Sequence, residues 1–204
     1  MSNSTLWRWA WPSVALFFAI LAAVFAGLWW QSRPPSDSDP AVTFARDMTA
    51  HHIQAVEIAT ILRDRTSDPE LRQVLIDMVL TQQAQIGHMQ GWLQAWGLPY
   101  SGPNPPMTGE MEHEGHLMTM TPSLMGMASQ EEINALSALP VPEAEIKFLQ
   151  MMIKHHQGGV LMAEAVLKHT SRPEVVRLAE AIVRAQTSEI AYMTDLLQQR
   201  GAEP

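Results

Sequence analysis

From residue 44 onward, apolar positions recur every three or four residues, the spacing of one face of an α-helix. The clearest run is Leu71, Leu75, Met78, Gln82, Ile86, Met89, Leu93 and Trp96. A shorter run, Met48, His52, Ala55, Ala59 and Leu62, precedes it and returns later as Met152, His156, Gly159, Ala163 and Val166. The first two runs are separated by Thr66-Ser67-Asp68-Pro69-Glu70, and Thr170-Ser171-Arg172-Pro173-Glu174 stands in the same place later. Serine followed three residues on by glutamate, with proline in the first turn, marks a helix start, so Ser67 and Ser171 are the predicted N-caps. Gly97 and Gly201 suit helix ends. These signals predict helices over 41–65, 68–96, 143–169 and 172–200.

The recurrence is a repeat. Residues 44–97 align with 148–201 at a constant offset of 104 without a gap, and 17 of the 54 positions are identical. The pairs include Met48/Met152, His51/His155, His52/His156, Gln82/Gln186 and Met89/Met193. Two helical hairpins bury their stripes most simply as a four-helix bundle, so the predicted fold is all-α, built from two duplicated αα-hairpins. In each copy a histidine interrupts the first stripe and a glutamine the second. A buried polar group costs about 1–3 kcal/mol unless it is partnered. His52 lies 15 residues before Ser67 and Gln82 lies 15 after it, which puts them at one level of an antiparallel hairpin. Met48 lies 19 residues before Ser67 and Met89 lies 22 after it, so the two differ in level by about one turn, ~5.4 Å. Each hairpin is thus expected to gather Met, His, Gln and Met.

The N-terminus follows another pattern. No charged residue occurs from Trp9 to Trp30, and five of the seven tryptophans (Trp7, Trp9, Trp11, Trp29, Trp30) bracket the run. Twenty-two helical residues span roughly 33 Å, about a bilayer core, with tryptophan at both interfaces. Residues 1–30 therefore read as a transmembrane anchor with the bundle on the extracytoplasmic side. The alternative is a signal peptide cleaved after Ala26. Residues 31–40, rich in Pro and Ser, read as an exposed tether, and 41–204 as the bundle domain with a linker at 98–142.

Composition narrows the chemistry. The net charge is -8 with no basic block, which argues against nucleic acid. Without cysteine there can be no disulfide, thiolate ligand or blue-copper centre. No nucleophilic motif is present, so an enzyme is not expected. Methionine is abundant, at 14 residues. Neighbours on a helix point about 100° apart, so one histidine of each pair can face inward with Met48 or Met152 while the other faces a neighbouring helix or solvent. Thioether and imidazole together select soft or borderline ions, copper above all. The candidate ligands are Met48, His51, His52, Met89, Met152, His155, His156 and Met193. The linker adds Met107, Met111, His113, His116, Met118, Met120, Met125 and Met127, expected as secondary ligands on a flexible loop that captures the ion. The competing readings are core methionines beside a histidine bonded to glutamine, and a linker packed on the bundle.

The stretches Phe148–Glu164 (FLQMMIKHHQGGVLMAE), its weaker copy Phe44–Thr60 (FARDMTAHHIQAVEIAT), Gln186–Met193, Gln82–Met89 and Gly126–Leu136 resemble the family labelled domain of unknown function 305. The resemblance covers residues 42 to 201. It implies a ferritin-type four-helix bundle, commonly exported, with members that bind copper through Met and His. Copy one departs from the strong pattern, with Thr49-Ala50 and Gln54-Ala55 in place of Ile153-Lys154 and Gly158-Gly159. Two rivals remain. A di-iron bundle needs Glu-x-x-His on two core helices, but only Glu110–His113 has that form, and Glu57, Glu164 and Glu189 are not matched by glutamate across the copies. A non-metal structural or interaction module of the cell envelope would keep the histidines without a ligand.

Overall fold

The computed structural model describes residues 4–31, 33–113 and 115–204; the side chains of Trp7, Trp9, Trp30 and His113, named above, lie outside the described residues. The molecule divides into two compact units, residues 1–35 and 36–204.

The first unit is dominated by helix α1, Ser4–Gln31, which contains Pro12. Its stretch Trp11–Trp29 has a mean hydropathy of 2.1 over 19 residues and none of it is buried. Length and composition are enough to cross a membrane.

The second unit is the bundle. Helices α2 (Pro40–Arg63) and α3 (Pro69–Ala95) form one hairpin, and α5 (Val141–His169) and α6 (Pro173–Gln199) form the other. All four lie within a residue or two of the predicted spans. The predicted stripe of α3 is buried from Leu71 to Leu93, and both histidine-bearing stripes are buried throughout. Gly97 and Gly201 take φ 71°, the left-handed value that ends a helix.

The caps differ from expectation by one residue. α3 is capped by Asp68, whose carboxylate accepts the amides of Glu70 and Leu71 at 2.9 and 3.1 Å. α6 begins after Arg172 with no side-chain cap. Proline occupies the first helical position in both, which leaves the preceding residue, not the serine, at the junction. The segment preceding α2 is tied down at its end. Asp37 pairs with the buried Arg46 at 2.7 Å, and Asp39 caps α2.

The linker holds three elements that helical periodicity did not reveal. Strands β1 (Glu110–His113) and β2 (His116–Thr119) form an antiparallel hairpin with Met111 opposite Met118. Helix α4 (Gln130–Ala138) starts at a capping box formed by Ser129 and Glu132.

The core is split in two. One half joins Phe44, Ala45 and Met48 of α2 and Met89 and Leu93 of α3 to Met162 and Val166 of α5 and Val175, Ala179 and Ile182 of α6. The other joins Ala55, Ile58 and Leu62 to Leu71, Leu75 and Met78, and these to Phe148, Met152, Met193 and Leu197. Every bundle helix contributes to both halves, and the histidines lie where the halves meet.

Candidate metal centre

His51, His52, His155 and His156 sit at mid-helix on α2 and α5, which pack against each other, and each is at most 1% exposed. Of the two expected alternatives for the second member of each pair, a neighbouring helix or solvent, the structure takes the neighbouring helix. Neighbouring positions on a helix do diverge, but both directions here lead into the bundle. The first histidine of each pair faces the other hairpin, and the rings of His51 and His155 stack with centroids 3.7 Å apart and planes 30° apart. The second faces its own hairpin. The Nε2 of His52 meets Gln85 Oε1 at 2.6 Å, and that of His156 meets Glu189 Oε2 at 2.6 Å.

Those partners were not the ones the turn arithmetic indicated. Gln82 and Gln186 do lie in the layer, both 3% exposed, but they do not bond to the histidines. The partners stand three residues further along. Side chains on a helix lean toward its N-terminus. In an antiparallel hairpin His52 therefore leans toward later residues of α3, while a residue of α3 leans back toward it. The signal was present, since Gln85 and Glu189 are equivalent across the offset of 104.

The bonds settle the tautomers. Carbonyl, amide and carboxylate oxygens only accept from imidazole. His51 donates Nε2–H to the Met125 carbonyl at 3.0 Å, His52 donates to Gln85 and His156 to Glu189. In all three Nδ1 is buried and without a partner, and in His51 and His52, whose protonation burial suppresses, it is a bare lone pair. His155 has neither nitrogen partnered, and the amides of Gln82 and Gln186 are likewise unpartnered. Among the described residues, all nine buried side-chain N and O atoms that lack a partner belong to this one layer. Buried polar atoms normally find partners, so such a concentration calls for an occupant. Burial is the main cause that holds His51 down to about 3, with the neighbouring His52 adding to it. Burial also holds His52 down to about 4 and pushes His155 well below the ordinary imidazole value.

Met48, Met89, Met152 and Met193 are all fully buried. Met48 and Met89 lie in one half-core, Met152 and Met193 in the other. Met48 is four residues from His52, an axial rise of ~6 Å, and Met89 is four from Gln85, so the thioethers border the layer on both sides. Among the described residues no three His, Asp and Glu side chains already converge as a metal-ligand group. The donor set, imidazole nitrogen flanked by thioether, fits a soft ion.

The linker is not the open arm its composition suggested. Met107, Met111, Met120 and Met125 are buried in the Met48 half-core, and Met118 and Met127 pack against it. Thioether side chains are large and apolar, and the β-hairpin and the turns around it seat them inward. His116 is exposed. A groove of about 360 Å³ lies between the hairpin, α2 and α5, lined by Met111, Met120, Met162, Asp47 and His169. Beyond it, residues 125–128 form a strap over the histidines. Met125 accepts from His51, and Gln54 holds Ala128 through both its backbone N–H (2.8 Å) and its C=O (2.9 Å). A Cβ on Gly158 would collide with the Met125 backbone, and one on Gly126 with that of Lys154. Where copy one has Gln54 and copy two Gly158, each residue meets the strap in its own way, which accounts for that departure between the copies.

Two antiparallel helical hairpins with paired histidines in the middle of their common core define the class: a four-helix-bundle protein with a buried imidazole layer. The chain belongs to the DUF305 family, whose profile, described as Domain of unknown function (DUF305), matches residues 41–197. It is similar to the crystal structure of a DUF305 secreted-protein candidate of Streptomyces coelicolor, with 41% identity, a TM-score of 0.73, and 82% of this chain and 98% of that one covered. A DUF305 fragment from Deinococcus radiodurans gives 36% identity and a TM-score of 0.68 over 81% of this chain and 99% of that one. CopM in its Cu(II)-bound form gives 30% identity and a TM-score of 0.61 over 76% and 94%. No curated protein matches the chain.

Proposed function

We propose that the protein binds copper in the histidine layer, as a carrier, buffer or sensor and not as an enzyme. The observation that carries this reading is the set of nine buried, unpartnered N and O atoms concentrated between four thioethers. The ligands are Nδ1 of His51, His52 and His156, a nitrogen of His155, and the sulfurs of Met48, Met89, Met152 and Met193. Met107, Met111, Met118, Met120, Met125 and Met127, with His113 and His116, are secondary ligands. Imidazole suits Cu(II) and thioether suits Cu(I), so the layer can hold both states. CopM, a structural relative, has been solved in Cu(I)-bound and Cu(II)-bound forms. Residues 1–30 would serve as an anchor that leaves residues 41–204 outside the cytoplasmic membrane, with cleavage after Ala26 as the alternative, and the only partners invoked are the ion and the membrane.

The test is a Cu(I) titration of the full-length protein in detergent against a chelator of known affinity. Deleting residues 107–127 would remove buried core methionines, so point substitutions are preferable. Removing a well-placed ligand weakens a metal site by an order of magnitude or more. The variant His51→Asn with His155→Asn is expected to lose at least tenfold in affinity while keeping its helical signal. No competition by the parent protein, with zinc and iron failing too, would leave the histidines as structural groups of a scaffold.

A further inference from the structure

The duplication supplies an internal comparison at one position. Gln85 and Glu189 each stand 33 residues beyond the second histidine of their copy and accept from its Nε2 at 2.6 Å. His52 and His156 are both fully buried, and both keep Nδ1 unpartnered. The two halves of the layer thus match in donor, distance and burial, and differ in charge. An amide oxygen backs His52, whereas a carboxylate with about a third of its side chain in solvent (32%) backs His156.

We propose that Glu189 sets the charge preference of the layer. The half it backs favours the doubly charged copper ion, and the half backed by Gln85 favours the singly charged one. The inference rests on the copper reading above. A carboxylate behind an imidazole orients the ring and makes its far nitrogen a better donor. Its negative charge also attracts a 2+ ion twice as strongly as a 1+ ion at the same distance. The amide of Gln85 orients His52 equally well without that charge. Glu189 is a positioning residue in this scheme, since it acts through His156 and touches no ion itself.

The experiment measures Cu(I) and Cu(II) affinities separately, by chelator competition, on the full-length protein in detergent. It compares the parent, Glu189→Gln, Gln85→Glu and the double exchange. Partners behind a ligating histidine typically change affinity by about 10–100-fold. Glu189→Gln is expected to lower Cu(II) affinity about tenfold and leave Cu(I) affinity nearly unchanged. For a one-electron couple that tenfold change raises the reduction potential of the bound copper by about 59 mV. Gln85→Glu should move the ratio the other way, and the double exchange should return it to the parent value. A purely structural role would move both affinities together, and that result overturns the proposal. So does an unchanged ratio in both single variants while copper still binds. A parent that binds no copper overturns the proposed function itself, and with it this inference.

Discussion

His51 and His52 are fully buried, with no carboxylate among the described residues bonded to either ring, and burial suppresses their protonation. In the unfolded chain such imidazoles take up a proton near the ordinary value of 6.5, whereas in the folded protein His51 waits until about 3 and His52 until about 4. Between those values the unfolded state holds more protons. The stability these groups contribute is therefore complete above about pH 6.5 and is lost as the pH falls toward 4. The metal-free protein is expected to show a lower urea midpoint at pH 5 than at pH 7.5. Equal midpoints would mean that the rings are solvated. Gly158 shows another residue-scale constraint. The Met125 backbone occupies the space a Cβ would need, so Gly158→Ala must lift the strap from His51. A loss of about 1–3 kcal/mol in chemical denaturation is expected, by analogy with overpacked cores. Helix propensity alone would predict the opposite sign, because alanine is the better helix former.

Among the elements, the bundle helices were the most legible. Their apolar stripes have one period, and proline at the start and glycine at the end mark the limits. The cap was misplaced because Ser67 and Asp68 are both competent, and only the backbone path chooses between them. Asp68 accepts two amides and also pairs with Arg200, whereas Ser67 is exposed. Asp68→Ala is expected to lower stability by about 1 kcal/mol, and Ser67→Ala to leave it nearly unchanged, as read from thermal melts. The β-hairpin was hidden by composition. A Met- and Glu-rich segment of four-residue strands carries too few alternations to stand out, and its inward face is defined only by the half-core it covers.

At the scale of the whole molecule, both half-cores lie within residues 41–197. The pair Asp37–Arg46 and the cap at Asp39 extend the folded unit back to Ser36. A fragment beginning at Ser36 should thus fold alone, with a helical circular-dichroism spectrum and a cooperative melt. A fragment beginning at Pro40 loses both contacts and should melt lower. The layer of four histidines exists only at this scale, because each hairpin contributes two imidazoles to a space that neither encloses by itself.

The helices, the duplication, the bundle and the identity of the interrupting residues were all legible in the order of the amino acids. All of these follow from a 3.6-residue period and a constant offset, which are local or self-referential patterns. Which atoms meet depends on how the helices pack. Met125 reaches His51 across 74 positions of sequence, His51 stacks on His155 of the other copy, and side-chain lean replaces Gln82 with Gln85 as the partner of His52. Such contacts depend on the packing angle of two helices and on the direction of each side chain. A pattern of apolar and polar positions along one helix carries no information about either.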